Sequence, residues 1–158
     1  MNQNQMRRLQ ELKEGILDQY EKIHYLPLKK EAINHTLGVE SWMEILCQKR
    51  KLPCLAARAA ALLHDCARFL DNASPKDHAK AGAIRARKIL EEASWPEEEI
   101  ELITRAIRHH SDKGYEDDPL DEALKDADTL ARFMDIPLEE ISPKRLKRLD
   151  ELFKELDF

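Results

Sequence analysis

The stretch Ala59-Ala60-Ala61-Leu62-Leu63-His64-Asp65-Cys66-Ala67-Arg68 decides how the rest of this chain is read. It lies in a segment that Pro53 opens and that runs as a helix from Cys54 to about Phe69, with alanine at positions 56, 57, 59, 60 and 61. So many small side chains let a neighbouring backbone approach closely. The apolar run ends in two side chains able to bind a metal, His64 and Asp65. A carboxylate at the end of so apolar a segment needs a cation nearby, because an unpaired buried charge is costly.

Working outward, the 3.6-residue period recurs along the whole chain. A first helix covers roughly residues 4 to 24, with Leu9, Leu12, Ile16 and Tyr20 on one face. A second runs from about Leu28 to Arg50. Its apolar stripe is Leu28, Ala32, Val39, Trp42 and Leu46, and His35 occupies a position within it. After the loop Asn72 to Pro75, Ser74 is placed to cap a fourth helix with Pro75 at its first position. That helix reaches about Ala93. A fifth runs from Glu97 to about His110, a sixth from about Leu120 to Met134, and a seventh from Lys144 to Leu156. Ser111 to Pro119 is a polar loop. No repeat, low-complexity segment or linker interrupts the chain, so residues 1–158 read as one domain, an all-α bundle of about seven helices.

Composition agrees. Leu, Ala, Glu, Lys and Arg dominate, and valine occurs once, at Val39, which starves any strand. Charged residues make up 36% of the chain, enough to cover long solvent-facing helix surfaces. A net charge of −5 argues against a nucleic-acid scaffold, which would carry a basic stripe. The clusters Lys49-Arg50-Lys51 and Lys144 to Arg148 read as solvated helix faces. Cys47, Cys54 and Cys66 show no paired spacing, which leads to an expectation of reduced thiols and a cytoplasmic location. Neither a secretory leader nor a membrane span is expected.

The remaining polar residues on apolar faces concentrate the chemistry. His110 continues the stripe Ile100, Ile103 and Ile107, whereas His109 is turned about 100° toward the polar side. Asp126 and Asp128 flank opposite sides of the sixth helix's stripe, and the helical wheel does not choose between them. Each histidine taken alone is ordinarily a hydrogen-bonded core residue. Several buried polar groups together need shared partners.

The pattern His35, then His64-Asp65, then Asp128 in Ala127-Asp128-Thr129-Leu130 resembles the HD-domain phosphohydrolase superfamily. The similarity extends to Ala61-Leu62-Leu63-His64-Asp65-Cys66-Ala67-Arg68, to His78-Ala79-Lys80-Ala81-Gly82-Ala83 and to Ala106-Ile107-Arg108-His109-His110-Ser111. These occur in the family's order and span about residues 30 to 135. The resemblance implies a helical bundle and a first metal held by His35, His64, Asp65 and Asp128, and it selects Asp128 over Asp126. It further implies His78 and His110 as ligands of a second metal, with Asp65 between the two. Arg68 stands where the family commonly has lysine and keeps the charge with a two-pronged donor.

The implied activity is metal-dependent hydrolysis of a phosphomonoester, a phosphodiester or a nucleotide anhydride. Asp65 and Arg68 would be the catalytic residues and a small phosphorylated molecule, such as a nucleotide, the substrate. The cofactor would be one or two divalent ions, and Mn, Fe, Zn, Ni, Co and Mg are not distinguished. The competing reading is a regulatory module of the same fold that binds metal or nucleotide without turnover. A homodimer is compatible with either. Arg108 and Lys113 are further cations close to His110, Asp77 reads as an exposed helix-start carboxylate, and the loop from Ser111 is placed to rim the site.

Overall fold

Polar and apolar positions alternate at helical spacing along almost the entire chain, and the backbone follows that pattern. The computed structural model describes residues 1–157. It contains α1 (Gln3–Glu21), α2 (Leu26–Lys49), α3 (Cys54–Leu63), α4 (Cys66–Leu70), α5 (His78–Glu92), α6 (Glu97–His109), α7 (Pro119–Asp135) and α8 (Pro143–Glu155). A single 3₁₀ turn, Leu138–Glu140, joins the last two. Among the described residues there is no strand.

Helix α3 is the centre. Apart from Cys54 and Arg58, every residue of it is buried. It packs against α1, α2, α6 and α7. Small side chains shorten the distance between helix axes, so the alanines of α3 let four neighbours close around it. The face predicted for α1 is the one it buries, through Leu9, Leu12, Ile16 and Tyr20. One hydrophobic cluster links residues of α1 through α8, from Leu9 to Leu152.

Three local features depart from the sequence expectations. The helix expected from Cys54 to Phe69 breaks at His64 and Asp65. Asp65 leaves helical geometry with φ −107° and ψ 12°, and α4 starts afresh. Regular helix would turn adjacent side chains about 100° apart; the break lets both face one space. Secondly, α5 begins at His78 rather than Pro75. Ser74 therefore does not cap α5, whose N-cap is Asp77; it caps the turn before it, where the Asp77 amide donates to Ser74 Oγ at 3.2 Å.

Thirdly, Cys47 and Cys54 form a disulfide, where three reduced thiols were expected. A tight turn between α2 and α3, with Lys51 at φ 55°, brings their Cα atoms to 5.4 Å. Sequence spacing alone does not reveal that approach. The pairing removes the support that reduced thiols lent to a cytoplasmic location. Cys66 is free and buried. No described helix is long and apolar enough to cross a membrane.

Candidate metal centre and its cationic rim

Five helix segments deliver the polar residues. α2 supplies His35, the α3–α4 break supplies His64 and Asp65, α5 starts at His78, His110 caps α6, and α7 carries Asp128. All but His78 are buried, and the His78 side chain is only 14% exposed.

Asp65 lies between two histidine pairs. Its Oδ2 faces His35 Nε2 at 3.8 Å and His64 Nε2 at 3.7 Å. Its Oδ1 faces His78 Nε2 at 3.5 Å and His110 Nε2 at 3.4 Å. Within each pair the Nε2 atoms approach one another, at 3.3 Å for His35 and His64 and 3.2 Å for His78 and His110. Asp128 Oδ1 adds a carboxylate 3.2 Å from His35 Nε2.

The opposite ring nitrogens explain why. Nδ1 of His64 donates to the Ala61 carbonyl at 2.7 Å, that of His78 to Pro75 at 2.8 Å, and that of His110 to Ile107 at 2.6 Å. A proton held at Nδ1 leaves the Nε2 lone pair facing the centre, the tautomer a metal ligand needs. His35 differs, with Nδ1 3.4 Å from the Asp135 carboxylate. Asp65 Oδ1 is buried and accepts no hydrogen bond. A buried carboxylate oxygen without a donor, surrounded by imidazole lone pairs, fits a divalent cation of the imidazole- and carboxylate-binding kind.

Electrostatics point the same way. Burial pushes the His64 imidazole down to about 3, against the pull of Asp65, so it is neutral at pH 7. Burial likewise lowers His78. Burial opposes ionisation of Asp65, yet His64 and His110 hold its carboxyl well below the usual range. Asp128 is also held low against burial, chiefly by the Lys113 ammonium.

Around this centre lies a set of cations, of which the sequence pointed to Arg68 and Lys113 but not to Arg145. Lys113 Nζ donates to Asp128 Oδ2 at 2.6 Å and to the His110 carbonyl at 2.5 Å. Arg145 Nη2 reaches the same Asp128 oxygen at 2.8 Å. Arg148, on the same helix as Arg145, turns away from the centre and lies 2.9 Å from Asp126 Oδ1. The segment Lys144 to Arg148 is therefore not merely a solvated face, as α8 turns part of its basic side toward the bundle. No periodicity signal marks this, because it depends on how α8 crosses α7. Arg68 Nη1 sits 3.2 Å from Asp65 Oδ2, and Glu31 holds its other amino group at 2.5 Å. A cleft of about 550 Å³ opens over the centre, lined by Asp65, Arg68, His78, His110, Asp128, Arg132 and Arg145 among others.

Other candidates lie elsewhere. Asp126 pairs with Arg50 and Arg148 on the far flank of α7. Asp77 accepts from Ser74 Oγ at 2.7 Å and closes a turn. Arg108 is exposed on another face of α6, beside Glu101 and Leu102. His109 hydrogen-bonds Asp121 at 2.8 Å, away from His110's side. The loop from Ser111 is pinned by the fully buried Lys125, which binds Asp117, Glu122 and the Tyr115 carbonyl.

Comparison with known proteins follows the same lines. The HD domain family model matches residues 32–132. A solved structure from an uncultured Thermotogales bacterium, described as a predicted HD superfamily hydrolase, shares the fold with a TM-score of 0.67. The two chains are 23% identical, and the match covers 99% of this chain and 94% of that one. No curated protein matches. With the family model spanning well over half its length, the chain belongs to the HD domain family.

Proposed function

We propose that this protein is a metal-dependent phosphohydrolase that cleaves a phosphate ester or anhydride of a nucleotide or related small molecule. The observation that carries the reading is the position of Asp65, with one oxygen toward His35 and His64 and the other toward His78 and His110. One carboxylate shared by two imidazole pairs is the arrangement expected of two adjacent divalent ions. His35, His64, Asp65 and Asp128 would hold the first, and His78, His110 and Asp65 the second.

Bound ions of this kind lower the pKa of coordinated water from ~15.7 toward ~7, which supplies hydroxide at neutral pH. The chain's own residues do the rest. Burial disfavours protonation of the His64 and His78 imidazoles. Backbone carbonyls fix three of the four rings in orientation. Arg68 offers a planar two-pronged donor beside Asp65, suited to phosphoryl oxygens. Arg132 and Arg145 line the same cleft and oppose the negative charge of a phosphorylated substrate.

The test is metal analysis of the purified protein together with a panel of phosphate esters assayed with Mn, Fe, Zn, Ni, Co or Mg. Bound metal and turnover that Asp65→Ala abolishes, in a variant that still folds, is the expected outcome. A protein that takes up metal through these residues but hydrolyses nothing would be a binding module instead. One that takes up none would refute the metal reading altogether.

A further inference from the structure

The cleft over the metal centre does not end at Arg145. Ser111 and Arg145 line it on one side and line a second cavity on the other. That second cavity has about 350 Å³ and is completed by Asp112, Lys113, Ser142 and Lys144. Three cations and two hydroxyls face one carboxylate there. Lys113 and Arg145 already serve Asp128. Lys144 does not: among the described residues no carboxylate lies within ion-pair distance of its ammonium group. Lys144 is exposed, and its Nζ lies beside Gly114, where a Cβ would meet it at 2.8 Å.

The helix carrying Lys144 is fixed in place. Arg148 ties α8 to Glu122 at 2.8 Å and to Asp126 at 2.9 Å, and Glu155 receives Arg50 at 2.6 Å. An ammonium group without a carboxylate partner, on an anchored helix and in a cavity that shares Ser111 and Arg145 with the cleft over the metal centre, is placed to receive an anion. Phosphate suits it, since ammonium, guanidinium and hydroxyl donors all make short charge-assisted bonds to phosphate oxygens.

We infer that Lys144, Arg145 and Ser111 form a second anion subsite, which takes a further phosphate of a substrate whose first phosphate sits at the metal centre. The substrate class is thus a molecule with at least two phosphate groups, linked directly or across a short spacer. This rests on the phosphohydrolase reading and narrows it. Arg145 bridges the two subsites, whereas Lys144 belongs to the distal one only.

The experiment measures competition by orthophosphate, diphosphate and triphosphate against hydrolysis of p-nitrophenyl phosphate. Direct calorimetric titration of the same anions accompanies it. Wild-type protein is compared with Lys144→Gln and Lys144→Glu, and thermal melts check that each variant is folded. Chelation of the metal by the longer anions affects all three proteins alike and cancels in the comparison. The subsite predicts that the wild type prefers one of the longer anions to orthophosphate. It also predicts that Lys144→Gln weakens that anion about tenfold more than orthophosphate, equivalent to ~1.4 kcal/mol, and Lys144→Glu more still. Equal weakening of all three anions, or none, overturns the subsite and leaves the phosphohydrolase reading standing. Absence of both monoester hydrolysis and orthophosphate binding in the wild type overturns the phosphohydrolase reading and the subsite with it.

Discussion

Lys113 Nζ lies 2.6 Å from Asp128 Oδ2, and both side chains are 5% exposed. The contact joins the loop after α6 to the middle of α7 inside the bundle. Burial pulls the lysine down to about 8, while its residual charge holds Asp128 ionised. Arg145 stays 2.8 Å from the same Asp128 oxygen, so losing the lysine removes one charge-assisted hydrogen bond rather than all compensation, at a cost of about 1.5–3 kcal/mol. Lys113→Met should therefore destabilise the metal-free protein by that order, measured by urea unfolding in EDTA. Added divalent metal should recover part of the loss, because a ligated Asp128 has another cation beside it. Equal stability of wild type and variant in EDTA would contradict this account.

The two histidine pairs can be separated by counting ions. His78→Ala or His110→Ala should lower bound metal from two per chain to one, read by elemental analysis after dialysis. Asp65→Ala, which removes the carboxylate facing both pairs, should bring it close to zero. Unchanged stoichiometry in the His78 and His110 variants would remove the second site.

Gly82 on α5 passes so close to the α3–α4 break that a Cβ would lie 2.9 Å from the His64 carbonyl oxygen and 3.4 Å from Ile107 Cγ2. Neither neighbour is free to retreat, since one is backbone and the other sits in the core. Gly82→Ala should cost about 1–3 kcal/mol by overpacking and displace His64. Urea unfolding and metal affinity should fall together. A fully stable variant with wild-type metal binding would show that the helices can part at no cost.

Acid should weaken the attachment of α7 and α8. Glu122 is lowered by Lys125 and Arg148 against its burial, and Glu155 by Arg50. A carboxyl whose folded value lies below its ordinary 4.5 contributes stability that is present above pH 4.5 and lost as pH falls through the folded value. Thermal midpoints in EDTA should thus decline below pH 4.5. Glu122→Gln should lower the midpoint at pH 7 by roughly 2–4 °C and shrink the decline between pH 5 and 3. A decline of undiminished size in that variant would exclude Glu122 as a contributor.

The thiols give a chemical readout. Cys47 and Cys54 are paired, and burial pushes the Cys66 thiol up to about 12. Native protein without reductant should therefore release almost no colour with a thiol-specific disulfide reagent at pH 8. One equivalent should react after denaturation, and three after denaturation with reduction. Three reactive thiols on denaturation alone would show that the pair is reduced.

Much of this molecule is legible in its sequence. The helical period, the shortage of β-formers and the alanine-rich segment ending in His64-Asp65 suffice for an all-α bundle with that dyad in its interior. Helix phase alone turns His110 inward and His109 outward, since the 100° step between them is intrinsic to the α-helix. What periodicity cannot express is how separate helices cross. Asp126 and Asp128 both flank one stripe, and only the packing of α2 and α8 against α7 gives Asp128 to His35 and Asp126 to the arginines. The same crossing turns Arg145 from a surface residue into a neighbour of Asp128, and buries Lys113 from a loop. The Cys47–Cys54 bond depends on one tight turn, and the break at Asp65 on a local departure from helical dihedrals. Sequence determines which face of each helix is apolar, because that is a local property of spacing. Tertiary structure decides which polar groups meet, because that depends on distances between helices far apart in the chain.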